Sequence, residues 1–136
     1  MRPAEAQASW LAEVKAAGRA AGVDVVVNAR VDVFIRSHAE TSQEIEEAVR
    51  RAALYLAAGA DCVYPILVHQ EATVAALVAA IPAPVNVFAV PDLPPVRRLA
   101  ELGVRRVSYA GRLQHAAMSD VQRRLDAIKA GDSPYT

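Results

Sequence analysis

A chain of 136 residues is long enough for one hydrophobic core and too short for two ordinary domains. Its fifteen basic and fifteen acidic side chains cancel, so no global field steers it toward nucleic acid or an anionic membrane surface. Cys62 is the only cysteine, which excludes an intrachain disulfide and a zinc cluster built on cysteine spacing.

From the amino terminus, "MRPAEAQASW" lacks the apolar segment of a signal peptide, and no run approaches the roughly 18 apolar residues that span a bilayer. A soluble, cytoplasmic protein is expected. The first helix is predicted over about Ala4 to Ala21, where Trp10, Leu11, Val14, Ala17 and Ala21 recur at helical spacing before Gly22. An aliphatic strand follows, about Asp24 to Phe34. "TSQEIEEAVRRAALYLAAGAD" opens with a capping box, Thr41 and Glu44, and carries Ile45, Ala48, Val49, Ala52 and Leu56 on one stripe until Gly59. "CVYPI" is the second strand. The helix "QEATVAALVAAI" turns Val74, Leu77, Val78 and Ile81 inward, and "PVNVFAV" is the third strand. "PPVRRLAELG" makes a short helix that tolerates proline in its first turn, and "VRRVSYAG" holds the fourth strand. A last amphipathic helix runs from about Leu113 to Lys129 with Leu113, Ala117, Val121, Leu125 and Ile128 as its apolar positions, and residues 131–136 form a tail.

Five helices alternating with four Val-rich strands predict an α/β fold with all four strands parallel, because a right-handed crossover needs a helix to return the chain to the same edge. The whole of 1–136 reads as a single partial domain. No repeat, low-complexity segment or internal linker interrupts it.

In such sheets ligands sit at the carboxyl ends of the strands. Asn28, Arg30 and Asp32 fall two apart in "VVVNARVDVF", so a strand would turn all three to one face. Arg30 closes an aliphatic run with a planar fork suited to a carboxylate or phosphoryl group; a structural pairing with Asp32 or Asp61 is the alternative. Tyr64 ends the second strand, where its hydroxyl would orient a substrate oxygen or be tethered in the core. Asn86 and Phe88 share a face of the third strand, Asn86 being open to substrate contact or to a bond with a neighbouring strand. Ser108 and Gly111 precede a helix start, a place suited to anions. His115 lies in that helix's first turn, as a site residue or a solvated one. His38 and His69 fall in loops after the first two strands, neither with a second ligand at metal spacing.

Taken in order, "VVVNARVDVF", "AVRRAALYLAAGADCVYPI", "LVAAIPAPVNVFA" and "LAELGVRRVSYAG" resemble the second half of the isocitrate lyase and phosphoenolpyruvate mutase superfamily, nearest its phosphoenolpyruvate mutase-like branch. The resemblance implies a (β/α)8 TIM barrel and an enzyme that makes or breaks C–C or P–C bonds beside a 2-oxo acid carboxylate, with Mg²⁺ stabilising an enolate. It implies that Arg30 grips the anionic group of a small 2-oxo acid. Ile66 stands where many members have histidine or glutamate. Phe88 stands where the methylisocitrate lyases place an asparagine, and His115 where they place an arginine.

The family's Asp-x-Asp metal pair and catalytic loop belong to its first four βα units, and no Asp-x-Asp occurs here. A family barrel takes about 250 residues, so the chain reads as the carboxyl-terminal half of one, without metal ligands. Four strands alone leave two free edges and an uncovered face, expected to expose apolar sheet. A homo-oligomer through strand edges or the last helix, or a complementary half, is the expected remedy. Two functions stay open: a lyase or mutase, either as a fragment of a longer gene product or as a half acting with a partner that supplies the metal site, and a non-catalytic relic or interaction protein that retains an anion pocket.

Overall fold

In the computed structural model, which describes residues 1–135, six helices and four strands are found. Helix α1 spans Ala4–Ala20 and gives way to Gly22 at a φ of +72°. Strand β1 is Asn28–Val31, followed at once by a short helix α2, Val33–Ser37. Helix α3, Ser42–Ala57, starts as the capping box requires: the Thr41 side chain accepts from the Glu44 N–H. Strand β2 is Cys62–Pro65, helix α4 Glu71–Ala80, strand β3 Asn86–Phe88 and helix α5 Val96–Glu101. Strand β4, Arg106–Ser108, leads to helix α6, Arg112–Ala130, which ends on Gly131 in the left-handed region. The expected tail is described as far as Tyr135; Thr136 lies outside the described residues.

The first strand is shorter than its apolar run predicted, and α2 was not foreseen. Asp32 takes a helix-entry conformation, φ −96° and ψ 14°, and Val33 and Phe34 then bury themselves as a helical turn. A short apolar run does not distinguish a buried strand from a buried turn by periodicity. Asp32 therefore lies beyond β1 rather than on its face.

All strand pairings are parallel. In β1 and β2, Asn28 faces Cys62 and Arg30 faces Tyr64; in β3 and β4, Asn86 faces Arg106 and Phe88 faces Ser108. A bridge between Val63 and Val85 joins the pairs in the order β1-β2-β3-β4. This is the curved half of a parallel barrel, with helices on its outer side. Ala29, Val31, Val63, Val85 and Val87 point outward and are buried against Leu11, Ala52, Tyr55, Val74, Leu77 and Leu99.

The opposite, inward face carries Asn28, Arg30, Tyr64, Asn86, Arg106 and Ser108, with Cys62 and Phe88 between them. The expected exposure of apolar sheet is thus corrected: this face is polar, as befits strands whose hydrophobic partners are helices on the other side. Apolar exposure concentrates on α6, none of whose residues is buried; Leu113 is 65% exposed and Ile128 55%. Among the described residues no helix is long and apolar enough to cross a membrane.

Beneath the sheet, Lys15 of α1 reaches Asp61 at 3.1 Å, Asp24 at 3.4 Å and the Val25 carbonyl at 2.8 Å. Asp61 also accepts from the Val27 N–H at 2.7 Å. That backbone bond, then Lys15, holds the Asp61 carboxyl below its ordinary value of 3.8. A carboxyl lowered by folding adds stability above its unfolded pKa, and loses it as pH falls through the folded one. Asp61→Asn is therefore expected to lower stability at pH 7 and to flatten its decline below pH 3.8, read from denaturant midpoints across pH. An unchanged acid limb would show that Asp61 carries none of it.

Candidate functional site

Strand alternation and register assemble the site on the inward face. Arg30 lies beside Tyr64, and the Val63–Val85 bridge sets Tyr64 beside Asn86, which in turn faces Arg106. A polar row thus crosses all four strands. Arg106, two residues before Ser108 and therefore on the same face, escaped the sequence reading although strand alternation marks it.

Arg30 is 54% exposed and binds Asp32 in a two-point contact, Nε to Oδ1 at 2.6 Å and Nη2 to Oδ2 at 3.1 Å. Asp32 raises the guanidinium's pKa further. An arginine has five N–H donors, so this pairing leaves three for another anion. Asp61, the other partner considered from sequence, is engaged by Lys15 instead.

Asn86 is fully buried, and its amide exchanges hydrogen bonds with the Ser108 hydroxyl: Nδ2 donates at 3.0 Å and Oγ donates back to Oδ1 at 3.2 Å. The Tyr64 hydroxyl is pushed up in pKa by burial, against the pull of Ser108 and of the positive charges on Arg30 and Arg106. It remains a neutral donor at pH 7 and is suited to orienting an oxygen. Burial likewise pushes up the Cys62 thiol, which leaves it protonated rather than poised as a nucleophile.

Asn28 Oδ1 is buried with no hydrogen-bond partner among the described residues. An orphaned acceptor costs on the order of 1 to 3 kcal/mol. Asn28→Val, which restores the β-branched character of the strand, is expected to stabilise the isolated chain by about 1 kcal/mol. Urea unfolding measures this, and a destabilised variant would mean that the amide is satisfied in solution.

The structure thus gathers Asn28, Arg30 and Asp32 at one edge of the row and Tyr64, Asn86 and Ser108 at its centre. It sets His115 apart, on α6, in a cavity of about 590 Å³ shared with Phe88, Gly111 and Arg112. His69 belongs to a different arrangement, in which Glu40 accepts from the backbone N–H groups of His69 and Gln70 at 2.8 and 3.1 Å and meets the imidazole Nδ1 at 2.8 Å. Glu40 thereby caps α4, for which Gln70 supplies no side-chain cap. Nothing local in the sequence marks this role, because the cap comes from thirty residues away.

Among the described residues no three His, Cys, Asp or Glu side chains are placed to hold a metal ion. Asp32, at the rim, is occupied by Arg30. The donor set of this chain does not fit a Mg²⁺ site.

Compared with known proteins, residues 1–129 match the family described as Phosphoenolpyruvate phosphomutase. The chain is 45% identical over 110 residues to the uncharacterised protein Rv1998c of Mycobacterium tuberculosis (strain ATCC 25618 / H37Rv), covering 80% of this chain and 41% of that protein. A Burkholderia cenocepacia J2315 structure provisionally described as a phosphonomutase matches with TM-score 0.87 at 34% identity, over 93% of this chain and 53% of its own. 2,3-Dimethylmalate lyase, a PEP mutase/isocitrate lyase superfamily member, matches with TM-score 0.81 at 18% identity, over 100% of this chain and 47% of its own, a likeness of fold. The chain spans about half the length of the proteins it matches.

Proposed function

This chain belongs to the phosphoenolpyruvate mutase/isocitrate lyase superfamily, and from that premise we propose that it is the anion-binding half of a family barrel, holding the carboxylate of a small 2-oxo acid on Arg30. The observation that carries the reading is the inward polar row, in which a partly exposed arginine stands beside a half-buried neutral tyrosine and a satisfied Asn86–Ser108 pair. Arg30 neutralises and orients the carboxylate through its unused donors. Tyr64 donates to a neighbouring oxygen. Asp32 does not bind the ligand; it sets the angle of the guanidinium.

The superfamily is typically Mg²⁺-dependent, and the ligands for such an ion have to come from outside these residues. In this reading the isolated chain is not a catalyst, and a complementary half supplies the metal-bearing strands. The orphaned Asn28 acceptor supports a covering surface that offers it a donor. A second copy of the chain is the other partner proposed, because α6 presents an apolar stripe that the described residues leave largely exposed. A cytoplasmic location goes with a chain that handles small metabolites.

The test pairs binding with turnover. Oxalate and pyruvate are expected to bind weakly, with no change on adding Mg²⁺, and no pyruvate is released from 2-oxo or 2-hydroxy acids in its presence. Saturable Mg²⁺-dependent release would show that the chain carries a metal site of its own. Absence of oxalate binding at tens of millimolar would leave the non-catalytic relic or interaction protein as the better account.

A further inference from the structure

We propose that the cavity between the segments that follow β1 and β2 is a second ligand site, which takes a small aromatic alcohol as a hydrogen-bond donor to the Nε2 atom of His69. It shares no residue with the Arg30 row and is independent of the function assigned to that row.

A buried carboxylate decides which nitrogen of His69 is free. The Glu40 side chain is 4% exposed, and its Oε1 lies 2.8 Å from His69 Nδ1. The Leu67 carbonyl oxygen lies 3.3 Å from the same nitrogen. Because an ionised carboxylate and a carbonyl can only accept, Nδ1 carries the proton, and in the neutral ring Nε2 is left as the acceptor. Its lone pair has no partner among the described residues. Glu40 is itself anchored by the backbone N–H groups of His69 and Gln70, at 2.8 and 3.1 Å, so the carboxylate fixes the angle of the imidazole as well as its tautomer. The ring is 44% exposed where it lines a cavity of about 270 Å³.

The other walls of that cavity favour an apolar body. Phe34 and Leu67 line it, and Phe34, which is 3% exposed, is a rigid part of the core. A volume at the small end of ligand cavities suits a single substituted ring and is too tight for a nucleotide. Anions are disfavoured, because the Glu40 charge lies directly behind the imidazole. The backbone is bent on both sides of the cavity: His38 has a φ of +51° and Leu67 one of +70°, each in the left-handed region despite carrying a Cβ. Strain of this kind gathers at ligand sites, where the surrounding structure holds it in place.

The test uses phenol and anisole, which share a ring and differ in the O–H, on the intact nitrogen-15-labelled chain at pH 8. Long-range proton–nitrogen correlation spectra are expected to place the His69 proton on Nδ1, the reverse of the form that prevails in free histidine. Phenol is expected to bind about fivefold more tightly than anisole, the value of one neutral hydrogen bond, and to move the Nε2 resonance. His69→Leu keeps the two backbone bonds that Glu40 accepts, and binds the two probes alike. Saturating oxalate leaves phenol in place.

A proton on Nε2 in the parent overturns the proposal, whether or not the variant folds. So does a parent that fails to bind phenol at tens of millimolar or binds anisole equally well. Discrimination that survives in His69→Leu, or displacement of phenol by oxalate, overturns it too.

Discussion

Val121→Asp combined with Leu125→Asp is expected to convert a concentration-dependent oligomer into a monomer while leaving the fold of the β-sheet and its helices intact. Helix α6 is the one long helix with no buried residue, and its apolar positions Leu113, Val121, Leu125 and Ile128 are each between 45% and 65% exposed. Its internal support is slight. Asp120 with Arg123 and Arg124, and Asp126 with Lys129, are solvated pairs of adjacent turns that water screens. Most of a helix's stability in a protein comes from packing its amphipathic face.

Burying the remaining exposure of those side chains against a partner returns roughly 1 kcal/mol apiece on each copy, a driving force for association that is offset in part by the lost freedom of the two chains. Two aspartates in the middle of the stripe desolvate unpaired in any such interface and abolish it. Sedimentation velocity at low micromolar concentration measures the change, and Gln122→Ala, off the stripe, is the control. Because no α6 residue contributes to the core, the thermal unfolding of the remainder is expected to stay where it was. A parent chain that sediments as a sharp monomer with a cooperative melt would show that α6 needs no second copy.

Arg30→Lys is expected to weaken oxalate binding by about 1 to 3 kcal/mol, the range for a charge-assisted hydrogen bond. Lysine preserves the charge and loses the fork. In the parent, Asp32 occupies Nε and Nη2, and the remaining N–H groups form the edge that meets a carboxylate side-on. A lysine at this position would be drawn to Asp32 as a point charge and present no such edge. Arg36, on α2 and exposed, is the control whose substitution leaves binding unchanged. Calorimetric titration of the two variants decides the matter, since equal losses would mean that oxalate responds to net positive charge and not to a site.

Much of this architecture is visible in the chain itself. The Thr41–Glu44 box starts α3 because its donors and acceptors are three residues apart, a contact that needs no tertiary partner. The parallel order of the strands follows from Val-rich runs separated by single helices, and Arg30 and Tyr64 at matching strand positions are indeed neighbours in register. The alternative considered for Asn86, a bond to a neighbouring strand, is realised through Ser108.

Other features depend on contacts between distant residues. Whether Val33 and Phe34 extend β1 or close into α2 is decided by the pocket they fill, since both outcomes bury the same apolar atoms. Glu40 caps α4 only because two loops meet. The stripe on α6 is legible at once, but an amphipathic pattern says that a face wants cover and not where the cover comes from. Sequence by itself determined the α/β class and the parallel alternation of strands with helices, since these rest on periodicity. The half-barrel reading came from the resemblance to a family, and Arg30 as the anion-gripping residue is a proposal from side-chain chemistry. Only the tertiary structure decided that the open sheet face is polar, that Asp32 restrains Arg30, and that Glu40 holds His69, because each is a matter of which distant groups the fold brings within a few ångströms.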